Sequence, residues 1–199
     1  MPAKKAATKP AAKPAKMSEV KSAKKSPAKP AKAPVVKPVK KPAGLEAGST
    51  APAFKLARDD GSTVSLKDFK GRNLVLYFYP KADTPGCTQE AIDFSRLRDA
   101  FAKTNTDVLG VSADPVAAQA KFKGKHKLTI ALASDESTAM LEAYGAWGEK
   151  SMYGRTFLGV IRKTFLIDGK GRIAQVWPTV KVAGHADAVL EAARGLVAV

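Results

Sequence analysis

The chain has 199 residues, with 34 Lys or Arg against 18 Asp or Glu and a formal charge of +16. That length suits one ordinary domain with a tail, and two full domains are not expected. The charge is uneven: residues 1–43 hold 13 Lys and a single acid, Glu19, for +12, which leaves +4 for residues 44–199 and excludes a strongly basic globule.

Residues 1–43 are built from Ala, Lys and Pro, with 8 of the 13 prolines and no aromatic residue, Leu or Ile. Such a segment buries too little apolar surface to offset its chain entropy, and its prolines interrupt any helix. It reads as a disordered tail with local polyproline II character, in which Met17 is an alternative start. From Gly44 to the end, short apolar runs alternate with helix-period segments, the pattern of βαβ units in one domain. The run Leu74–Tyr79 is continuously apolar, as in a central strand covered on both faces, and Pro80 stops it. Thr84-Pro85 predicts an N-cap with proline at the first helical position, and Ala91, Phe94, Leu97 and Phe101 then recur three or four apart along one buried face. A strand over 107–112 follows, then Asp114-Pro115 as a second N-cap and proline pair, and a strand over 128–133. Asp135 is read as the cap of a helix over 136–144, with Gly145 its stop. Strands over 163–167 and 172–177 form a hairpin, and 185–197 closes the chain as an amphipathic helix. The order is that of a mixed sheet flanked by helices, best matched by a thioredoxin-like α/β fold, and order alone names no activity.

Cys87 is the only cysteine. It excludes an internal disulfide framework and any multi-cysteine zinc or iron–sulfur site, and it suits a reducing compartment. No stretch approaches the ~20 apolar residues that cross a bilayer. The N-terminus lacks the apolar core of a secretory signal, and its lack of Arg fits a transit peptide poorly. The reading is a soluble cytoplasmic protein with no membrane association.

The informative stretch is 77–90, which leaves a buried strand, crosses a short loop and enters the first turn of a helix, where sites in open α/β sheets tend to lie. With Thr84 at the N-cap, Gly86 and Cys87 present backbone N–H groups with no intrahelical partner beside the positive end of the helix dipole. Both favour thiolate over thiol. Taken alone, a single cysteine is commonly a small buried hydrophobe. The capping threonine and adjacent glycine reverse that reading. Thr84 has two roles open to it, capping a first-turn N–H or orienting a reactant at the sulfur, and Pro80 could simply end its strand.

Residues 80–91, PKADTPGCTQEA, resemble the active-site signature of peroxiredoxins, P-x-x-x-T-x-x-C, in the form of the peroxiredoxin Q or bacterioferritin comigratory protein branch. The resemblance continues through 154–168 and 181–186 and covers nearly all of 45–197. It implies thiol-dependent reduction of hydrogen peroxide and organic hydroperoxides on a thioredoxin fold. Cys87 stands as the peroxidatic nucleophile, Thr84 as the hydroxyl that binds thiolate and peroxide, Arg162 as the guanidinium completing the pocket and Pro80 as the shield of the sulfur. Arg155 is the less favoured arginine. No metal, haem, flavin or other cofactor is implied, and the branch suggests a monomer. Many of its members carry a second cysteine five residues after the first, where this chain has Ile92. The sulfenic acid then requires an external thiol, such as thioredoxin or glutaredoxin with glutathione, or a Cys87–Cys87 bridge between chains.

His126 and His185 lack metal-ligand spacing and are assigned no catalytic role, and His185 is read as a structural or capping residue. The lysine-rich tail resembles those of linker-histone-like proteins, and its charge suits nonspecific DNA contact through residues 1–43, with a solvated extension as the alternative. The rival to an enzyme is a thioredoxin-fold binding or chaperone protein anchored to nucleic acid by that tail.

Overall fold

The six-residue strand β3, Asn73–Phe78, organises the computed structural model, which describes residues 45–152 and 155–197. The tail over 1–43, with the disorder and DNA contact expected of it, lies outside the described residues. In β3, Leu74, Leu76 and Phe78 enter one apolar cluster, while Val75 and Tyr77, with Tyr79 just beyond, enter another. This is the period-2 alternation of a strand buried on both faces, which explains the unbroken apolar run.

Around β3 lie β4 (Thr106–Ser112), β5 (Ala131–Ser134), β8 (Lys163–Ile167) and β9 (Ile173–Trp177), with the hairpin β1 (Lys55–Arg58) and β2 (Thr63–Ser65) at one edge. The seven strands run in the order β2-β1-β5-β4-β3-β8-β9. β3, β4 and β5 are mutually parallel, whereas β8 pairs antiparallel with β3, and β9 with β8. The 172–177 hairpin expectation is met within one residue; Asp168 Oδ1 accepts from the Lys170 and Arg172 amides at 2.9 and 2.8 Å to fix the turn. The helices are α1 (Pro85–Arg96), α2 (Arg98–Lys103), α3 (Val116–His126), α4 (Ala139–Ala143) and α5 (His185–Val197). Phe94 of α1, Phe101 of α2, Phe122 of α3 and Val189 of α5 join the Tyr77 and Tyr79 cluster, so these four helices share that side of the sheet.

Several boundaries differ from the sequence expectation. The helix read through Phe101 is two helices divided at Leu97, although Ala91, Phe94 and Phe101 are all buried as its period requires. Pro115 rather than Asp114 is the N-cap of α3, because the Asp114 carboxylate is spent elsewhere. The helix read over 136–144 shrinks to α4. Asp135 holds it by accepting from Leu141 N at 2.9 Å, well inside the segment it was expected to cap. The strand read from 128 begins at 131, its leading residues Leu128 and Ile130 being buried in a loop. Unread in the sequence were β1, β2 and a separate antiparallel ribbon, β6 (Trp147–Met152) with β7 (Arg155–Val160), whose exposed faces show no clean alternation.

Gly110 illustrates how tightly the central strands are matched. It sits opposite Tyr77 in the β3–β4 pair, and a Cβ there would lie 2.5 Å from the Tyr77 phenol oxygen. The Tyr77 ring is fully buried and stacks on Phe94 at 4.7 Å between centroids, so it has no room to retreat. Gly110→Ala should therefore cost about 1–3 kcal/mol by overpacking. Urea denaturation would show a lowered midpoint, and an unchanged midpoint would contradict this account of the glycine.

Candidate active site

Tyr79 and Pro80 carry the chain off β3 into the loop that enters α1. Thr84 is the N-cap, with extended backbone (φ −96°, ψ 151°), and Pro85 opens the helix as the dipeptide predicted. The first helical bond runs from Thr88 N to the Thr84 carbonyl at 2.8 Å. The Gly86 and Cys87 amides precede that bond and lie at the positive end of the helix. Cys87 is a free thiol and only 2% exposed. The Thr84 hydroxyl does not cap; it donates to the Lys81 carbonyl at 2.9 Å and closes the loop on itself. Pro80 and Thr84 are half-buried at the two ends of this loop.

The loop is anchored from below. Ala82 N donates to Asp114 Oδ2 at 2.8 Å, which also accepts from Ser112 Oγ at 2.7 Å. Ser112 Oγ in turn accepts from Gln119 Nε2 at 2.8 Å, and Gln119 Oε1 accepts from the Tyr79 hydroxyl. Asp83 adopts the left-handed region (φ 60°), which aspartate tolerates better than most residues. Its carboxylate meets Lys125 Nζ and His126 Nε2, each at 2.7 Å, at the end of α3. Hydrogen bonds from these two partners hold the Asp83 carboxyl below its usual value.

Arg162 arrives from the far side of β3. The antiparallel register pairs Phe78 with Lys163, so the residue before Lys163 sits level with the end of β3 where the loop begins. Its Nη2 lies 3.1 Å from Cys87 Sγ, and its Nη1 donates to Glu90 Oε2. Glu90 is three residues after Cys87 on α1, hence on the same face, and is 1% exposed. One guanidinium thus spans a sulfur and a buried carboxylate. Glu90 Oε1 has no hydrogen-bond partner among the described residues. Burial pushes the Glu90 carboxyl up to about 7, against the opposing pull of Arg162.

The structure therefore gathers Cys87, Thr84, Pro80 and Arg162 at one pole of the sheet; the Arg155 side chain lies outside the described residues. Sequence reading missed Glu90. The available signal was an acid on the apolar stripe of Cys87, Ala91 and Phe94, where only a paired or protonated carboxyl is tolerable. His185 is buried nearby, with Nε2 2.8 Å from Thr164 Oγ1. Burial, with the Arg162 charge adding to it, pushes this imidazole down to about 4, so it stands neutral at pH 7.

Compared with known proteins, residues 47–176 match the AhpC/TSA family. A putative peroxiredoxin of Coxiella burnetii is 46% identical over 141 residues, covering 71% of this chain and 93% of that protein. Peroxiredoxin Bcp of Escherichia coli is 44% identical over 146 residues, covering 73% and 94%. Among solved structures, the Xanthomonas campestris bacterioferritin comigratory protein, described for its alkyl peroxide reduction, is 42% identical. It superposes with a TM-score of 0.69 over 72% of this chain and 92% of that one. A variant of the Xylella fastidiosa peroxiredoxin Q gives a TM-score of 0.74 at 35% identity, over 78% and 99%.

Glu90 makes stability depend on pH with a definite sign. Its folded value lies above its ordinary 4.5, so the native state holds a proton that the unfolded chain has released. Stability therefore falls as pH rises from about 4.5 through about 7 and levels off above. Glu90→Gln, which cannot ionise, should lack this fall. Relative to the parent it should gain on the order of 3 kcal/mol between pH 4.5 and pH 8. Parallel urea curves at the two pH values check this, and a pH-independent difference between the two proteins would contradict it.

Proposed function

The chain is a peroxiredoxin of the AhpC/TSA family, and on that premise we propose that Cys87 is its peroxidatic nucleophile and works without a second cysteine. The observation that carries the reading is the 3.1 Å approach of Arg162 Nη2 to Cys87 Sγ at the first turn of α1. A fixed cation and two unpaired amides stabilise negative charge on that sulfur.

In the proposed first step the Cys87 thiolate attacks one peroxide oxygen. An S–O bond forms, the O–O bond breaks, and its electron pair leaves with the distal oxygen as hydroxide or alkoxide, which takes up a proton. Sulfur is oxidised by two electrons to the sulfenic acid. Negative charge moves from sulfur across the O–O bond, so donors already held in place gain strength as the transition state forms. Arg162 and the Gly86 and Cys87 amides fill this role, the Thr84 hydroxyl orients the peroxide, and Pro80 shields the sulfur from bulk water. Glu90 is a positioning residue: it takes one arm of Arg162 and leaves the other facing Sγ. Hydrogen peroxide and organic hydroperoxides are the substrates. The alkyl peroxide reduction described for the Xanthomonas relative supports the second class.

With Ile92 where many relatives place a cysteine, an external thiol closes the cycle. Its sulfur displaces the sulfenic oxygen as water to give a mixed disulfide, and a second thiol releases Cys87 and leaves as disulfide. Thioredoxin, or glutaredoxin with glutathione, has the required chemistry. Because Cys87 is almost wholly buried, a protein thiol reaches the sulfur only when the first turn of α1 moves aside.

Peroxide consumption supported by dithiothreitol should vanish in Cys87→Ser, and persistence of turnover there would overturn the assignment. Arg162→Ala should lower kcat/KM for hydrogen peroxide by about 10²–10³; a loss under threefold would remove Arg162 from the proposed machinery. A sulfenic acid without an internal resolving thiol is also exposed to further oxidation. Intact mass after graded peroxide should show a second added oxygen on Cys87, and an adduct confined to one oxygen would contradict the one-cysteine cycle.

A further inference from the structure

At the opposite end of the sheet, where β3 and β4 begin, the surface sinks into a cavity of about 410 Å³. The six residues of β3 set this pole about 20 Å from the loop that carries Cys87. Four cationic side chains line the cavity: Arg58 at the end of β1, Arg72 just ahead of β3, Arg98 opening α2, and Lys123 on α3. Asp68 and Asp107 are the acids in its wall, so the lining carries a formal excess of +2.

The acids do not satisfy the cations. Asp68 Oδ2 is engaged by Ser65 N at 2.7 Å and by Ser65 Oγ at 3.0 Å. Asp107 Oδ2 lies 2.7 Å from Arg72 Nη2 as an ion pair that is not aligned as a hydrogen bond, on a guanidinium that is half exposed. Arg58 reaches Asp60 at 3.4 Å, and its Nε is buried with no partner among the described residues. The carboxylate paired with Arg98 is that of Asp99, 4.0 Å away and itself in solvent. Lys123 alone is well paired, 2.7 Å from buried Asp59. Three guanidinium groups therefore line one hollow, with Arg58 partly buried and Arg72 and Arg98 more than half exposed and free to turn toward a ligand. Its wall mixes polar and apolar groups, with Thr63, Thr106 and Thr129 beside Val64, half-buried Phe69 and Ile130.

We propose that this cavity binds a phosphoryl group carried on an apolar or planar body, a ligand of the nucleoside monophosphate class. A phosphate presents three terminal oxygens and so an acceptor edge to more than one guanidinium, where a carboxylate satisfies one fork. The mixed polar and apolar wall and the volume, far larger than a phosphate ion, call for an organic body as well.

The test is calorimetric titration of the full chain with adenosine monophosphate, inorganic phosphate and adenosine. The lysine-rich tail is present in every arm, so any anion it attracts is a common background. Adenosine monophosphate should bind one to one, more tightly than inorganic phosphate, and adenosine should show no binding. Arg98→Ala should weaken the monophosphate about tenfold or more, as expected for loss of charge-assisted hydrogen bonds, and Arg72→Ala should do likewise. Arg98 has no close partner to lose, so its variant keeps the test intact if Arg72→Ala fails to fold. Equal affinity for phosphate and monophosphate, or an affinity unmoved by Arg98→Ala, overturns the proposal.

Discussion

Arg162 holds two acceptors at once, the sulfur of Cys87 and the buried carboxyl of Glu90, and the architecture around β3 serves that arrangement. A carboxyl at 1% exposure cannot stay ionised without a cation, and a half-buried guanidinium gains little from solvent. Each therefore fixes the other. The arginine is delivered by antiparallel pairing of β8 with β3, and the two acceptors by successive turns of α1. Sliding β8 by one residue would turn Arg162 to the opposite face of the sheet.

The sheet supplies rigidity at the point where this trio meets the loop. β3 is buried on both faces, and Tyr79, just past its end, reaches through Gln119, Ser112 and Asp114 to hold the Ala82 amide. This buried chain of donors and acceptors runs from the strand core to the loop preceding Cys87. A second tether, from Asp83 to Lys125 and His126, ties the same loop to α3. Both tethers act on backbone geometry and neither touches the sulfur. Preorganisation here comes from ordinary core and capping interactions, aimed by topology.

The two poles of the sheet differ in chemistry. At the C-terminal end of β3, one half-buried guanidinium faces a sulfur and a buried carboxyl. At the other end, guanidinium groups line a wider, half-open cavity with carboxylates that satisfy them incompletely. The central strands separate the two, so a ligand at one pole touches no residue of the other.

Much of this was legible in the residues themselves. The run 74–79 announced a doubly buried strand, Thr84-Pro85 announced the start of a helix, and the hairpin at 163–177 followed from alternation around a glycine-rich turn. Each is a local signal, written by φ/ψ preference or by a burial period within a few neighbouring residues. The elements that escaped are those whose form is imposed from outside. Asp135 reaches six residues ahead to Leu141 instead of capping, Asp114 serves a loop 32 residues back, and the β6–β7 ribbon shows no clean alternation to read. The sequence by itself determined the fold class, the place of the cysteine at a helix start, and the lack of a second thiol. Only the tertiary structure decided that the Thr84 hydroxyl turns to Lys81, that Glu90 is buried, and that Arg162 divides its donors between carboxyl and sulfur. The Arg162 outcome depends on side chains 72 and 75 positions apart meeting across a strand register, and such distances leave no mark in local spacing.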